Sequence, residues 1–369
     1  MRITRSMMVS NMLYWTAKQT EKLHDAQTVV ASGKQINKPS DNPVVAGQIM
    51  KDRATIAAYE QYESNIEQAD TWIETSNTML DSVNTLLQNA QDVISSLPSG
   101  DESTREDYAA ELQSIYAQII SLANSRYGSS YMYSGDKSNT APFSNSVDVS
   151  SCASSDIVFD LAGVASDLTI EIADSTGTIV RSLTIAGGTA GTNTLTWDGC
   201  DDEGNALSGG HYSFVVSATD EEGNAVAAFP SYRGDEGGKK IIAGENNIAV
   251  LDNNGGNIFS DALCTLSRAI ISLENNADLP SDLSASLETT ADRITCEQVT
   301  LSNIKSQLEN SNDHFTQLVS YISGRVSDLE TGSTAQAVVE LEAQETDYEA
   351  TLKAVADVLK MPKLADYLS

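Results

Sequence analysis

The side chains that could support acid–base or metal chemistry are few in this sequence and lie far apart. The chain has three histidines, His24, His211 and His314, and none stands at metal-ligand spacing from another histidine, a cysteine or a carboxylate. His24 and His314 fall in polar helical stretches and are expected to be solvated, whereas His211 is expected to lie in a turn before a strand. No phosphate-binding loop, dinucleotide fingerprint or nucleophile elbow occurs, and no histidine is placed for a catalytic triad. We therefore predict that the protein is not an enzyme and binds no cofactor.

The four cysteines could bind zinc, form a disulfide or remain thiols. They are Cys152, Cys200, Cys264 and Cys296, and the absence of a C-x-x-C pair or a Cys/His cluster argues against zinc. Cys152 and Cys200 flank or lie in an acidic segment, and they could form a disulfide if the protein ends up outside the cell. Four ordinary thiols are the alternative.

Carboxylate oxygens are the preferred ligands of calcium, and the acid-rich stretch from Asp198 to Asn205 could bind that ion. The stretch lacks the ligand spacing and the distal glutamate of an EF-hand loop. The same residues, with Gly204 among them, also fit a solvated hairpin turn. No metal site is therefore predicted.

The charge of the chain limits the partners it can bind. The 369 residues carry a formal net charge of -30, which disfavours nucleic acid and anionic lipid as ligands. The charge is uneven, because residues 1–60 carry more basic than acidic side chains, whereas Arg181 is the sole base among many acids in residues 152–230. No apolar run reaches membrane-spanning length, and the basic N-terminal stretch is too short in apolar residues for a signal peptide.

Two segments show an apolar heptad repeat, which is typical of long paired helices. The spacing predicts a helix over residues 283–330, about 70 Å long at 1.5 Å per residue, with the first segment as its partner. Gln298 and Lys305 are polar at core positions and are expected to fix the register. The predicted core of this antiparallel coiled-coil rod consists of Ile66, Ile73, Leu80, Leu87 and Ile94 in the first segment and Leu287, Ile294, Leu301, Leu308, Phe315, Ile322 and Leu329 in the second.

Both chain ends carry thinner amphipathic stripes. Isolated amphipathic helices are marginal in water, so these helices are expected to become ordered when subunits associate. The predicted assembly interface consists of Met12, Leu23 and Val30 near the N-terminus and Val338, Leu341, Tyr348, Leu352, Val355 and Leu359 near the C-terminus.

The middle of the chain changes to short β runs separated by glycine-rich turns, which predicts an Ig-like sandwich inserted between helical halves. The predicted strands are 157–161, 168–172, 178–185, 192–197, 211–218 and 224–229. The chain is therefore predicted to be a multidomain α+β protein. Its parts are terminal assembly helices (1–40 and 331–369), a helical rod domain with small β elements (41–150 and 231–330) and the inserted sandwich (151–230).

Residues 32–43, SGKQINKPSDNP, resemble the N-terminal signature of the bacterial flagellin superfamily. The PSDNP element is similar to that of the hook-associated protein 3 branch, the flagellin-like hook–filament junction proteins, and so is the opening Met1-Arg2-Ile3-Thr4. Asn42 departs from the family, in which aspartate is usual. Further stretches that resemble the family follow in order: residues 131–135 (YMYSG), 141–143 (APF), 232–235 (YRGD), 256–259 (GNIF) and 364–368 (LADYL).

Residues 155–226 resemble a second family, the Ig-like domain of flagellar hook-capping proteins. In this resemblance Trp197 and Tyr212 are core residues. A domain-level resemblance implies a fold and not a capping activity.

The flagellin resemblance implies a structural subunit of the bacterial flagellum at the junction between hook and filament. It implies export without a cleavable signal peptide to the extracellular flagellum. The implied partners are other copies of the chain in a ring or tube, the other hook–filament junction protein, flagellin and a cytoplasmic export chaperone. Three alternatives stay open: a bulk flagellin, a hook-capping or scaffolding accessory protein, and an enzymatic insert.

Overall fold

The computed structural model describes residues 5–97, 102–149, 154–252 and 254–360. These form two compact units, unit 1 from Met1–Ser64 and Asn312–Ser369 and unit 2 from Asn65–Ser311. The opening residues 1–4, Cys152 and the 364–368 stretch lie outside the described residues. Among the described helices, none has the length and apolar content that crossing a membrane requires.

Six helices account for most of the residues that the structure describes. They are α1 (Arg5–Ser32), α2 (Pro43–Ser96), α3 (Glu102–Ala123), α4 (Gly255–Glu274), α5 (Leu283–Glu330) and α6 (Thr334–Lys360). Helix α5 has the bounds that the heptad repeat predicts, so that prediction is confirmed. Helix α2 begins well before the first heptad position, because Asn42 caps it and Pro43 is its first residue.

Helices α1 and α6 of unit 1 pack against each other in antiparallel orientation. Where α1 ends and α6 begins, Lys34 and Thr331 form an antiparallel bridge and the Gln35 amide donates to the Glu330 carbonyl at 2.6 Å. Half-buried residues recur on both helices at alternating spacings of three and four, but no described side chain of either helix is fully buried. We name these residues the seam: Val9, Met12, Thr16, Gln19, Leu23, Ala26 and Val30 on α1 and Ala337, Leu341, Gln344, Tyr348, Thr351, Val355 and Val358 on α6.

The rest of unit 1 pairs the start of α2 with the end of α5. Ile49, Ile322 and Val326 are buried between them. The residues packed around this small core are Ile36, Val45, Ile56, Tyr59 and Leu329.

The helical part of unit 2 pairs the remainder of α2 with the start of α5, again antiparallel. The Gln298 side chain donates to Asp81 at 2.7 Å, and the Lys305 ammonium lies 2.8 Å from Asp70 and 2.7 Å from Glu74. The two polar residues at core positions therefore contact the partner helix, as a role in fixing the register requires. Helices α3 and α4 pack beside them, and the coiled-coil rod arrangement as a whole stays a prediction.

The strands of unit 2 form a two-sheet sandwich and two small hairpins. The strands are β1 (Arg126–Tyr127), β2 (Ser130–Tyr131), β3 (Ser146–Val149), β4 (Ser155–Leu161), β5 (Ala165–Ala173), β6 (Ile179–Gly188), β7 (Gly191–Trp197), β8 (Gly210–Thr219), β9 (Ala225–Val226), β10 (Ala228–Pro230), β11 (Gly238–Ile242) and β12 (Ile248–Asp252). One sheet has the order β10-β4-β7. The other has the order β3-β8-β5-β6, with β9 also paired to β8. The hairpins are β1-β2 and β11-β12.

Strand β3 is absent from the predicted strands, although it completes the larger sheet. It pairs with β8 and buries Val147 and Val149 in the sandwich core. Its four residues, Ser-Val-Asp-Val, are too few for alternation alone to distinguish a strand from a loop.

Trp197 and Tyr212 lie in the sandwich core, with ring centroids 5.4 Å apart in a T-shaped contact. Both polar tips are paired, since the Trp197 indole donates to the Cys200 carbonyl at 3.0 Å and the Tyr212 hydroxyl donates to the Ser208 carbonyl at 2.8 Å. The aromatic bodies therefore fill the core at no cost in unpaired polar groups.

Candidate assembly surfaces

Four sequence stretches, two before the sandwich and two after it, meet at one point in unit 2. Tyr133, Phe143, Tyr232 and Phe259 come from the stretches 131–135, 141–143, 232–235 and 256–259. Tyr133 and Phe259 make a T-shaped contact at 4.9 Å, and Phe143 lies 5.6 Å from Tyr232 and 6.2 Å from Phe259 between ring centroids. Backbone bridges tie the same stretches together, Ser134 to Asn254 and Phe143 to Tyr232. The four stretches therefore form one aromatic cluster.

The glycines of these stretches are required by close backbone approach. A Cβ on Gly135 would lie 2.1 Å from the Asp235 carboxylate, and one on Gly255 would lie 2.6 Å from the Tyr133 carbonyl. Gly234 likewise has no room, because the Tyr232 hydroxyl would be 2.2 Å from its Cβ. A side chain at these positions would separate the segments that the aromatic cluster holds together.

The aromatic cluster supports packing and not chemistry. Tyr133 is buried, and burial raises the pKa of its hydroxyl, which stays protonated and lies 3.1 Å from the Ser76 hydroxyl. Asn254 caps α4 by accepting from the amides of Gly256 and Asn257. The cluster therefore joins the strand-rich segments on either side of the sandwich to helices α2 and α4.

Residues 32–43 form the connection between α1 and α2. Gly33 ends α1 with a φ of +68°. The Asp41 carboxylate accepts from the Asn37 amide at 3.0 Å and the Lys38 amide at 2.8 Å, and these hydrogen bonds, with that of Lys38 first, lower the pKa of Asp41. Asn42 then caps α2. The shared SGKQINKPSDNP pattern therefore encodes a helix stop, a turn and a helix start.

Glu330 ties this connection to the end of α5 and the start of α2, and a further ion pair joins α2 to α5 in unit 1. The Glu330 carboxylate, only 9% exposed, pairs with Lys34 at 2.6 Å and also with Arg53. The hydrogen bond from Lys34 is the main reason that the pKa of Glu330 is lowered. Asp52, 7% exposed, forms a second pair with both nitrogen donors of the Arg325 fork. Charged side chains this well covered are costly unless paired, and here both carboxylates are paired.

The predicted assembly residues of the terminal helices fall into two groups. Six of them belong to the seam and face the other terminal helix of the same chain: Met12, Leu23, Val30, Leu341, Tyr348 and Val355. The other three, Val338, Leu352 and Leu359, are exposed. Val338 and Leu352 therefore present apolar surface to solvent.

An exposed apolar surface on α1 is absent from the predicted assembly interface. Leu13, Tyr14 and Trp15 are all more than half exposed, at 64%, 60% and 56%. They are consecutive, so no heptad stripe contains all three, and the search for periodic spacing passes over them. The signal that could have found them is the aromatic pair Tyr14 and Trp15, which lies outside the predicted apolar stripe of the helix.

The predicted rod-core residues lie along the facing sides of α2 and α5. Nine of them are buried: Ile66, Ile73, Leu80, Leu87, Leu287, Ile294, Leu301, Leu308 and Ile322. Ile94, Phe315 and Leu329 are half-buried. Phe315 stacks on Tyr59 at 5.2 Å and lies 5.5 Å from Tyr62, so aromatic contacts with α2 cover it in unit 1.

The side chains considered for chemistry do not converge. His24 and His314 are exposed on helices, and His211 lies within β8, against Asp148 of β3, and not in the predicted turn. Within the described ranges, no group of three or more His, Cys, Asp or Glu could hold a metal ion. Because Cys152 lies outside the described residues, both alternatives for Cys152 and Cys200, a disulfide and two thiols, stay open.

The acid-rich stretch at 198–205 is a hairpin turn. The Asp201 carboxylate accepts from the Asn205 amide at 2.7 Å and the Asn205 side chain at 3.1 Å. Asp220 makes the same contacts with Asn224 at 2.7 and 3.0 Å, and Asp174 holds a similar turn through Thr176 and Thr178. These aspartates are engaged in their own turns, which favours the hairpin interpretation over calcium.

Two protein-family models match separate parts of the chain. Residues 3–138 match the bacterial flagellin N-terminal helical region, and residues 144–222 match the FlgD Ig-like domain. The chain thus carries a flagellin-type helical region followed by an Ig-like β domain, and both resemblances seen in the sequence are confirmed.

Two curated relatives that the chain matches in part share one name. The chain is 31% identical over 144 residues to flagellar hook-associated protein 3 of Escherichia coli (strain K12), which covers 38% of this chain and 45% of that protein. It is 29% identical over 147 residues to flagellar hook-associated protein 3 of Salmonella typhimurium (strain LT2), which covers 39% of this chain and 46% of the relative. The chain therefore spans about half the length of the curated relatives it matches.

Solved structures of similar proteins include FlgL of Bacillus cereus, with 12% identity, a TM-score of 0.39 and coverage of 77% of this chain and 99% of that one. They also include FlgD of Xanthomonas campestris, with 26% identity, a TM-score of 0.23 and coverage of 31% and 80%.

Proposed function

We propose that this chain is a structural subunit of the bacterial flagellum that forms the junction between hook and filament by self-assembly of its terminal helices. The observation that carries the proposal is the flagellin N-terminal region combined with relatives named hook-associated protein 3. The proposed role is structural and not enzymatic. The family indicates a structural role, and the described histidines are exposed and far apart along the chain.

The mechanism of assembly rests on how little the terminal helices bury in a single chain. Helices α1 and α6 share a seam of half-buried residues and have no fully buried described side chain. Such a pair gains little from packing, so further burial against neighbours would stabilise it. Trp15 and Leu352 are among the exposed apolar side chains available for that burial. Contact between copies would then order the terminal helices into a ring or tube.

The proposed partners follow from this position. They are other copies of the chain, the second hook–filament junction protein on one side and flagellin on the other, with an export chaperone in the cytoplasm beforehand. The proposed location is the extracellular flagellum, reached without a cleavable signal peptide. The paired α2 and α5 would provide the rigid rod, and the acidic Ig-like domain would project into solvent.

Two alternatives make different predictions about location. A bulk flagellin would be distributed along the whole filament. A hook-capping or scaffolding protein is favoured by one observation, the match of residues 144–222 to the FlgD Ig-like domain. Such a protein would need the Ig-like domain for its activity, whereas a junction subunit would need both terminal helices.

The deciding experiment is immunogold electron microscopy of intact flagella from the source organism, with antibody raised against the Ig-like domain. A single band of label at the hook–filament joint is the expected result. Label along the filament would contradict the junction role and support a flagellin. Label only at the growing tip of hooks would support the capping alternative.

A further inference from the structure

Outside the seam, each terminal helix carries a second stripe of residues. On α1 the stripe lies one residue before each seam position, and we name it the α1 outer stripe: Met8, Asn11, Trp15, Lys18, Lys22, Asp25 and Val29. On α6 it lies one residue after each seam position, and we name it the α6 outer stripe: Val338, Glu342, Glu345, Glu349, Leu352, Ala356 and Leu359. All of these are exposed except Val29, which is half-buried.

The two outer stripes lie on opposite sides of the helix pair. The two helices run antiparallel, so their residues advance in opposite rotational senses when both are viewed down one axis. A step back by one residue on α1 and a step forward by one residue on α6 therefore rotate the side chain in the same sense. The seam residues of α1 face those of α6, so this rotation places the α1 outer stripe on one side of the helix pair and the α6 outer stripe on the other. The α1 outer stripe therefore cannot contact the α6 outer stripe of its own chain, but it can contact that of a neighbouring copy in the same orientation.

The charges of the two stripes are opposite. Lys18 and Lys22 are the bases of the α1 outer stripe, whereas the α6 outer stripe carries Glu342, Glu345 and Glu349 and no base. Asp25, the acidic member of the α1 outer stripe, is paired with Lys38 at 3.0 Å. Within the part of the chain that the structure describes, Lys18, Lys22, Glu345 and Glu349 form no ion pair. In a chain with a net charge of -30, a contact between copies needs such local complementarity.

The register of the seam aligns these charges. The bridge between Lys34 and Thr331 fixes where the two antiparallel helices meet. Counted from this bridge, the first seam residues of the two helices, Val30 and Ala337, lie level with each other, and so do the last, Val9 and Val358. When two copies lie side by side with no axial shift, the same register places Lys18 level with Glu349 and Lys22 level with Glu345. It also places Trp15, 56% exposed, level with Leu352, 43% exposed. Opposite charges and apolar side chains thus match along the two stripes.

We infer that the α1 outer stripe of one copy binds the α6 outer stripe of the next, with Trp15 packed on Leu352 and with Lys18 and Lys22 paired to Glu349 and Glu345. The contact is heterologous, so each copy offers one stripe to either neighbour and the contact repeats around a ring or along a tube. The inference rests on one part of the proposed function, namely that copies of the chain assemble through their terminal helices.

The contact is tested by photo-cross-linking on the purified full-length chain. Trp15 is replaced by p-benzoylphenylalanine, and the variant is mixed with an isotope-labelled copy so that cross-links between copies are recognised by mass spectrometry. The expected cross-links join position 15 to the segment around Leu352 of the other copy. The matched control carries the same group in place of Leu13, which is equally exposed on the opposite side of α1 and is expected not to reach that segment.

Charge reversal provides the second arm. Lys18→Glu with Lys22→Glu, or Glu345→Lys with Glu349→Lys, is expected to lower the cross-link yield about tenfold or more, because two attractions become two repulsions. Combining all four changes is expected to restore most of the yield. Glu340→Lys with Asp347→Lys makes the same change in net charge on the other side of α6 and is expected to leave the yield near that of the parent chain.

Three outcomes overturn the inference: no cross-link between copies at the highest soluble concentration, equal cross-linking from position 13 to α6 of the other copy, or no recovery in the fourfold variant. The result does not depend on where the protein lies in a flagellum. Immunogold label away from the hook–filament joint would therefore contradict the proposed function alone. A failed charge swap with label at the joint would contradict this contact alone.

Discussion

At the scale of single residues, Gly135 and Gly128 form a matched pair. Both have positive φ angles, +67° and +64°, but a Cβ would meet Asp235 at Gly135 and nothing within 4 Å at Gly128. Gly135→Ala is expected to lower the free energy of unfolding by about 2–4 kcal/mol, because a steric clash is added to backbone strain. Gly128→Ala is expected to lose about 1 kcal/mol from strain alone. Equal losses in urea unfolding would contradict the close approach at the aromatic cluster.

The three hairpin aspartates predict an acid sensitivity of the Ig-like domain. Side-chain hydrogen bonds from Thr176, Asn205 and Asn224, followed by backbone amides, lower the pKa values of Asp174, Asp201 and Asp220 in the folded state. A lowered folded pKa means that the stabilisation is complete above the unfolded value, about 3.9, and is lost as the pH falls through the folded value. The urea concentration at the midpoint of unfolding is therefore expected to decrease as the pH is lowered below about 4.

The test of this acid sensitivity replaces all three aspartates with asparagine, which keeps an acceptor but does not titrate. The variant is expected to lose less of its urea midpoint between pH 6 and pH 3 than the parent chain. A control with the exposed helical residues Asp313, Asp328 and Asp347 changed to asparagine is expected to keep the parental loss. A triple hairpin variant as acid-sensitive as the parent would show that the turns do not carry the effect.

At the scale of elements, the pairing of α2 with α5 in unit 1 depends on a covered ion pair. Asp52 is 7% exposed and is held by Arg325, whereas Asp25 and Lys38 form a pair whose members are 53% and 59% exposed. Asp52→Ala is expected to cost about 1–2 kcal/mol, because the covered hydrogen bonds are lost while the Arg325 guanidinium, 41% exposed, is screened by water. Asp25→Ala is expected to cost less than about 1 kcal/mol. Chemical denaturation of both variants, followed by circular dichroism, measures the difference, and similar costs would contradict the assigned burial.

The predicted helices and strands follow from different kinds of signal. The heptad in α5 runs over its whole length, so its bounds could be predicted from sequence. Strand β3 could not, because its four residues become a strand only through pairing with β8. A helix makes its hydrogen bonds locally, whereas a strand depends on a partner that the sequence does not name.

At the scale of the whole molecule, assembly is expected to fail when an exposed apolar residue of α6 becomes charged. Leu352→Asp leaves the seam and the buried residues of α2 and α5 untouched, so the chain is expected to fold with unchanged helicity. Incorporation into flagella, measured by immunoblot of sheared filaments and hooks, is expected to fall at least about tenfold, because a carboxylate would be buried at the contact between copies.

The matched control for this prediction is Thr346→Asp, which adds the same charge at an exposed polar position of the same helix. It is expected to be incorporated normally. If the Leu352→Asp chain were incorporated as well as the control, the exposed stripe would not be an assembly surface and the terminal-helix mechanism would have to be abandoned.

The sequence by itself determined most of the helices, most of the sandwich strands and the turn between α1 and α2. The apolar period of seven in α2 and α5, the glycine-rich turns of the sandwich and the stop–turn–start pattern of residues 32–43 are local signals, and each can be interpreted within a few residues. The order of the shared stretches also indicated the flagellin superfamily, because those stretches are sequence patterns.

Only the tertiary structure decided which surfaces face inward and which stretches meet. Met12 and Leu352 both belong to the predicted terminal stripes, yet one lies in the seam and the other is exposed. Tyr133 and Phe259 lie far apart in the chain but in contact in the fold. Periodicity shows that a helix has an apolar side, but the partner that covers that side is set by packing between distant segments, which no local pattern specifies.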